Sequence, residues 1–373
     1  MKILVVTTGL NVGGAETLLL NLVKVWLKNG FQVTIFSLAG KCDLDEAFVA
    51  VGAKVKSYNL KCYSNFIPGL YRFCTDIKKS DPEVVQTWMP HADLIGGLFC
   101  RIFSSARVFW GCHHSDISLK SLKFSSLVIF KLNSYLSHIV PTKIIGVSDN
   151  VKTQLQNFGF DRRKIFVIEN GIDCRDFFRQ VETKKQLLEE LKIDLNTKVA
   201  GFVGRYSFEK RPETFLKLAA KLKNDTDTGP IHFIMVGSGN DQSNRELSKL
   251  ISKYDLKHNI SLLGVRNDIP SILSSLDVLV STSVDEAFGL VLVEALACGC
   301  PCVSSSSEGA KSVGRDLITY VEGGNIDSYK KAVQAVLALE EPEKASFCER
   351  SSRYVASNFN IENSAAKYMK IYR

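Results

Sequence analysis

The chain has 373 residues, 45% hydrophobic and 23% charged, with a net charge of +8. These values belong to a soluble globular protein long enough for two domains, and no apolar run reaches the ~20 residues of a membrane span. Ten cysteines are scattered through apolar segments rather than at framework spacings, the pattern of reduced, buried thiols in a cytosolic protein. The charge is uneven. Residues 1–180 hold 22 Lys and Arg against 14 Asp and Glu, whereas residues 181–373 hold 25 of each. The excess lies wholly in the first half. It is either a solubilising surface or the mark of an anionic partner: a membrane surface, a phosphorylated lipid or nucleic acid.

The N-terminal MKILVVTTGL has no cleavage-site pattern after it and reads as a buried first strand over residues 2–8. The loop to Gly13-Gly14 leads into a helix over about 15–29, ended by Asn29-Gly30. Such a loop lets backbone N–H groups approach a phosphate at the helix start, although the G-x-G-x-x-G spacing is absent. Strands at about 32–37, 54–57, 84–88, 107–111, 138–146 and 165–168 alternate with helical segments, the βαβ rhythm of a doubly wound sheet. His113 and His114 stand together where the fifth strand runs out, a position that favours a role in a site. Residues 117–139 form an apolar helical stretch with Lys120, Lys123 and Lys131 and no acid. It suits either an anionic membrane surface or packing on the sheet with lysine stems at its margin. Glu169-Asn170-Gly171-Ile172-Asp173 and a polar stretch to Lys198 read as a domain end and linker.

A second βαβ rhythm starts with a strand at 199–204. Lys210 and Arg211 then precede Pro212, which suits a first helical turn. Two cations there oppose the helix macrodipole, a conflict that a bound anion removes. A strand at 231–236 ends in Gly237-Ser238-Gly239-Asn240, and Leu262 to Pro270 follows. The run from Val280 to Ser304 is the focus of the chain: strand, polar turn with Asp285 and Glu286, helix from about Gly289 to Gly299, and strand. That order puts the turn at the carboxyl edge of an open sheet, where α/β folds bind ligands. Glu294 has Leu290, Val291, Ala297 and Cys298 as its helical neighbours and so lies on no polar stripe. A carboxylate so placed must find donors or change its charge state, and ligand hydroxyls such as a ribose diol can supply them. Cys298, Cys300 and Cys302 alternate, but no His is near and metal binding is disfavoured. Residues after Asn325 read as helical to the end, the final helix over about 361–372.

The pair in EAFGLVLVE, with Gly204-Arg205-x4-Lys210, the GGAE loop, N-G-I-D and V-G-x-G, resembles the retaining glycosyltransferases of the GT4 family over nearly the whole chain. The resemblance implies an α/β GT-B architecture, two Rossmann-like doubly wound domains facing across a cleft. Residues 1–175 with a crossover helix at about 358–373 would bind the acceptor, and residues 176–357 the nucleotide sugar. It implies catalytic roles for His114 (or His113) and Glu286. Substrate-binding roles fall to Gly13, Gly14, Arg205, Lys210, Gly239, Val265, Arg266, Phe288, Gly289, Leu290 and Glu294. Arg205 and Lys210 would clamp the diphosphate, Glu286 would hold the sugar and Glu294 the ribose. No metal and no cofactor is implied beyond the donor itself, a UDP-sugar. The implied partners are a glycan or lipid-linked acceptor of bacterial envelope polysaccharide and an anionic membrane surface, not nucleic acid. The implied location is the cytoplasm or the inner face of its membrane. Rival readings on the same architecture are a nucleotide-sugar epimerase, a phosphorylase, for whose pyridoxal phosphate lysine no context is visible, and a catalytically inactive binding subunit.

Overall fold

The computed structural model of the protein describes residues 1–113, 124–322 and 324–373. Their contacts divide the chain into two compact units, residues 1–171 with 361–373, and residues 172–360.

The first unit is built on β1 (Lys2–Thr7), β2 (Gln32–Ser37), β3 (Lys54–Ser57), β4 (Val84–Trp88), β5 (Arg107–Cys112), β6 (Lys143–Gly146) and β7 (Ile165–Val167). They lie in the order β3-β2-β1-β4-β5-β6-β7, each pair parallel. The central strands are continuous apolar runs because both of their faces are covered; β1 and β4 are buried almost throughout. The helix Gly14–Lys28 lays Leu18, Leu22, Val25 and Trp26 on one face of the sheet. The last helix of the chain, Ile361–Tyr372, joins the same core. Its Tyr368 and Tyr372 meet Trp26 edge-on with ring centroids 5.8 Å apart, and the Tyr372 hydroxyl donates to Gln86 Oε1 at 2.7 Å.

Two expectations are corrected here. The strand read over 138–146 begins only at Lys143, because Pro141 has no N–H to give a ladder. The apolar helix read over 117–139 is seen from Phe124 to Leu136, and Lys120 and Lys123 lie outside the described residues.

The second unit is built on β8 (Lys198–Val203), β9 (Ile231–Val236), β10 (Ile260–Gly264), β11 (Val278–Ser281), β12 (Cys302–Ser305) and β13 (Ile318–Val321). Their order is β10-β9-β8-β11-β12-β13, again all parallel. The polar stretch before Lys198 is not structureless. It contains the helix Thr183–Glu190, which buries Leu187 and Leu188. Its Lys and Glu residues outnumber that short apolar patch, which is why composition alone reads as linker.

Candidate active site

In each sheet the strand order reverses once, between β1 and β4 in the first unit and between β8 and β11 in the second. Loops leaving the carboxyl ends of strands at such a point part to opposite faces and leave a crevice. The two crevices are built very differently.

In the second unit the loop after β8 and the turn after β11 are sewn together. The Thr282 hydroxyl donates to the carbonyls of Lys210 and Arg211 at 2.8 and 2.9 Å. The Val284 N–H donates to the Glu209 carbonyl at 2.8 Å. These bonds bring Lys210 Nζ to 2.5 Å from Glu286 Oε1, and Ser283 Oγ donates to the same oxygen at 2.7 Å. Glu286 is only 8% exposed. Both bonds fall on Oε1, so among the described residues Oε2 carries none and is the oxygen left for a ligand. Pro212 opens the helix Pro212–Leu222, and Arg211 takes a left-handed conformation at its cap. That turn directs Lys210 inward.

The helix Leu290–Ala297 starts in the same turn. Its cap, Gly289, has φ 85° and no side-chain capping bond. A residue with a Cβ is strained in that conformation, and the first N–H groups of the helix have no side-chain cap, the arrangement in which a helix start can accept an anion. Glu294 lies one turn further in, half-buried. Burial pushes its carboxyl up to about 8, against the pull of Lys210. One lysine thus acts electrostatically on both glutamates of the motif. Phe288 was expected to touch substrate. Its side chain is 3% exposed and packs edge-on against Phe359 at 5.6 Å, so it anchors the turn.

The remaining loops close the floor. The Gly237 N–H donates to the Gly264 carbonyl at 2.7 Å, and Gly264 N–H to the Asn240 carbonyl at 2.9 Å. A Cβ on Gly237 would lie 2.3 Å from the Gly204 carbonyl oxygen, so only glycine fits that approach. Gly239 lies against Tyr206. Val265 is exposed. The Arg266 guanidinium is held by Asp268 at 2.8 Å and Glu190 at 2.7 Å. Arg205 is exposed and has no ion pair among the described residues.

Three contributors escaped the sequence reading. Asn240 is fully buried and donates from Nδ2 to the Gly204 and Val236 carbonyls at 2.6 and 3.1 Å; its place at the end of a glycine turn after an apolar strand was the available signal. Ser283 orients Glu286. Gly309 supports it from behind, since a Cβ there would lie 2.0 Å from the Glu286 carbonyl oxygen. No local pattern marks Gly309, because the contact spans 23 positions.

In the first unit the crevice between β1 and β4 holds a cavity of about 220 Å³ lined by Asn11, Glu16, Lys61, His91, Met89 and Phe130 among others. Met89 takes φ 81°, a costly conformation for a residue with a side chain and one that gathers at binding sites. Gly13 and Gly14 open the first helix as expected, with no side-chain cap. The Glu16 carboxylate folds over Gly13, so that a Cβ there would lie 2.5 Å from Glu16 Oε2. An anion approaching this helix start therefore meets an acid already in place. His113 stacks on Trp88 at 3.8 Å between centroids. Neither ring nitrogen finds a partner among the described residues, and burial pushes its pKa down to about 3, which keeps it neutral. His114 lies outside the described residues. Asp93, buried beneath the cavity, is pushed up to about 8 by burial while Thr87 donates to it.

The raised Glu294 carboxyl makes a testable claim about stability. The folded state holds a proton that the unfolded chain releases near the ordinary glutamate value, so this contribution is full below that value and is lost as pH rises toward about 8. We expect Glu294→Gln to remove a slope of about 1.4 kcal/mol per pH unit between roughly pH 5 and 8. Urea unfolding of parent and variant across that range, compared by difference, measures it; parallel curves would contradict the assignment.

The family profile described as "Glycosyl transferases group 1" matches residues 183–353, and that of "Glycosyltransferase Family 4" matches residues 12–176. The chain is 25% identical over 300 residues to an Escherichia coli UDP-Gal:alpha-D-GlcNAc-diphosphoundecaprenol alpha-1,3-galactosyltransferase, covering 79% of this chain and 76% of that one. It is 27% identical over 237 residues to a D-inositol 3-phosphate glycosyltransferase of Mycobacterium marinum, 62% of this chain but about half (49%) of that protein's length. The crystal structure of Anabaena HepE in complex with UDP and glucose superposes with a TM-score of 0.85 at 19% identity, covering 100% of this chain and 99% of that one. With two parallel sheets, a lysine–glutamate pair at the switch point of the second, and profiles that together span both units, the chain belongs to the GT4 family of glycosyltransferases and has the GT-B fold.

Proposed function

We propose that the protein transfers a sugar from a UDP-sugar to a lipid-linked or glycan acceptor in envelope polysaccharide synthesis, with retention at the anomeric carbon. The observation that carries the reading is the Glu286 carboxylate, held by Lys210 and Ser283 through one oxygen with the other left open. Support for the donor comes from the UDP and glucose of the Anabaena structure. Support for a lipid diphosphate acceptor comes from the name of the Escherichia coli relative.

In this reading the diphosphate lies at the uncapped start of the helix Leu290–Ala297, against Arg205 and Lys210. Their charges, with the helix N–H groups, stabilise the leaving group without a metal ion. Glu286 Oε2 accepts from sugar hydroxyls and Glu294 from the ribose. The bond from the anomeric carbon to the phosphate oxygen breaks as the acceptor oxygen bonds the same face, and the acceptor proton passes to that phosphate oxygen. The acceptor occupies the cavity of the first unit. At about 220 Å³ this is smaller than the ~300–1,000 Å³ of sites for drug-sized ligands, so it takes one terminal unit of a longer acceptor. Its lining pairs polar Asn11, Glu16 and Lys61 with apolar Met89 and Phe130, as a sugar ring with hydroxyl edges and an apolar face requires.

Membrane contact belongs to the same proposal. The helix Phe124–Leu136 buries Phe130, Asn133 and Ser134 and exposes Phe124, Val128, Leu132 and Tyr135. One face of this helix packs, and the other offers an apolar stripe at helical spacing, which supports the reading of a bilayer contact.

We expect Glu286→Gln to lower turnover by on the order of 100-fold while leaving UDP affinity nearly unchanged, and Arg205→Ala to cost about 3–4 kcal/mol in the barrier. Turnover should persist in EDTA. Strict dependence on a divalent ion, or equal loss of UDP binding in Glu286→Gln, would overturn the assigned roles. Gly309→Ala should also lower turnover by about 100-fold, because a small displacement of a reacting group is enough, and should lower the thermal unfolding midpoint, because the added methyl overpacks the floor. For the apolar stripe, Val128→Ser with Leu132→Ser should reduce sedimentation with anionic vesicles and spare transfer to a short soluble acceptor.

A further inference from the structure

The charge excess of the first half also gathers at a second place. Of the three lysines in the apolar helical stretch only Lys131 lies among the described residues, while another group gathers on the sheet. In β1, β2 and β3, Lys2 is in register with Gln32, Thr34 with Lys54, and Phe36 with Lys56. Alternation along each strand puts these side chains on one face. The opposite face carries Ile3, Val5, Val33 and Ile35, all packed in the core with the helix Gly14–Lys28. Parallel sheets are normally covered on both faces. Here the helix Phe66–Ser80 covers only one end of the face, where Phe73 meets Phe36 at 5.9 Å. The amino ends of the three strands remain open.

The result is a groove of about 590 Å³, bounded by Lys2, Lys54, Lys56 and Lys79, with Leu27 and Phe31 supplying an apolar wall. Its size is that of an ordinary small-molecule site. The carboxylates nearby are already engaged. Asp76 accepts from Lys56 at 3.0 Å and from the Tyr58 hydroxyl at 2.9 Å. Glu83, at the rim, accepts the backbone N–H of Lys2 at 2.8 Å. Lys54 and Lys79 have no ion pair or hydrogen bond among the described residues. Four ammonium groups thus surround one lining carboxylate. Their mutual repulsion is a cost to the fold that a multivalent anion would relieve. The groove lies at the amino edge of the sheet, whereas the cavity beside Met89 lies at the carboxyl edge, so the two are separate places on the first unit.

We infer that this groove is a second anion site, which takes the phosphate groups of a multiply charged organic phosphate, with Lys54 and Lys79 as its free cations and the Leu27 and Phe31 wall against the organic part. The ligand is either a soluble phosphate ester or the headgroup of an anionic lipid, and the chemistry of recognition is the same.

Tripolyphosphate, titrated calorimetrically at low salt, is the soluble probe; vesicles of phosphatidylglycerol, with phosphatidylcholine as control, are the lipid probe. The background is Arg205→Gln with Lys210→Gln, which removes the cations of the proposed donor site and so keeps failure of that site from being mistaken for failure of the groove. In this background we expect one tripolyphosphate to bind, and Lys54→Gln with Lys79→Gln to weaken it about tenfold, with unchanged thermal unfolding. Added salt should weaken binding as well. Loss of both tripolyphosphate and vesicle binding in the lysine variant assigns the site to lipid headgroups as well as free phosphate. Loss of one alone assigns it to that source. If the lysine variant binds both probes as its parent does, or the parent binds neither, the inference is wrong.

Discussion

The second unit depends on the contact between Lys210 and Glu286. The two residues are 76 positions apart and belong to loops that leave β8 and β11. A buried ion pair is stable only when its geometry is good and its remaining hydrogen-bonding capacity is met. Here the Thr282 hydroxyl fixes the backbone on the lysine side, and Ser283 shares the carboxylate oxygen. Removing Lys210 would leave a nearly buried carboxylate with one neutral donor. Removing Glu286 would leave a cation beside the raised carboxyl of Glu294. The pair therefore fixes the position of the Glu286 side chain and keeps a cation near Glu294, whose pull opposes the effect of burial.

Close backbone approach makes that pair possible. Gly237 lets the turn after β9 lie on the Gly204 carbonyl, and Gly309 lets a later helix rest on the Glu286 carbonyl. Asn240 bonds the same Gly204 carbonyl from beneath. The crevice is thus a set of loops at van der Waals contact, tied by backbone carbonyls that each have a named donor. A floor of this kind cannot relax around an added methyl group, because interiors are close-packed.

The first unit handles charge in the opposite way. At the carboxyl edge of its sheet the buried titratable groups are held neutral: His113 by stacking on Trp88 and loss of water, Asp93 by burial. At the amino edge Lys2, Lys54 and Lys79 line one groove with no side-chain ion pair among the described residues. A crevice that sets Glu16 and Lys61 beside Met89 and Phe130 suits a ring with hydroxyl edges and an apolar face, and a lysine-lined groove suits phosphate. The two edges of one sheet are therefore chemically unlike.

Much of this was legible in the sequence. Continuous apolar runs such as KILVVT and IHFIMV announced parallel strands, since a strand covered on both faces needs no polar alternation. The isolation of Glu294 among Leu, Val and Ala, with Glu286 eight positions earlier, marked the helix and turn that carry the site. The same local logic did not show that the Phe288 ring packs on Phe359. It failed for the helix Thr183–Glu190, whose charged exterior outnumbers its two buried leucines. It also did not show the basic face of the first sheet, because lysines spread over three strands form a cluster only once the strands are in register. The sequence by itself determined the elements, their parallel class and the residues at the carboxyl edge of the second sheet, because periodicity and turn chemistry are local. Tertiary structure alone decided that Lys210 meets Glu286, that Gly309 supports it and that burial raises the Glu294 carboxyl, because each depends on which strands become neighbours and on how much water that leaves.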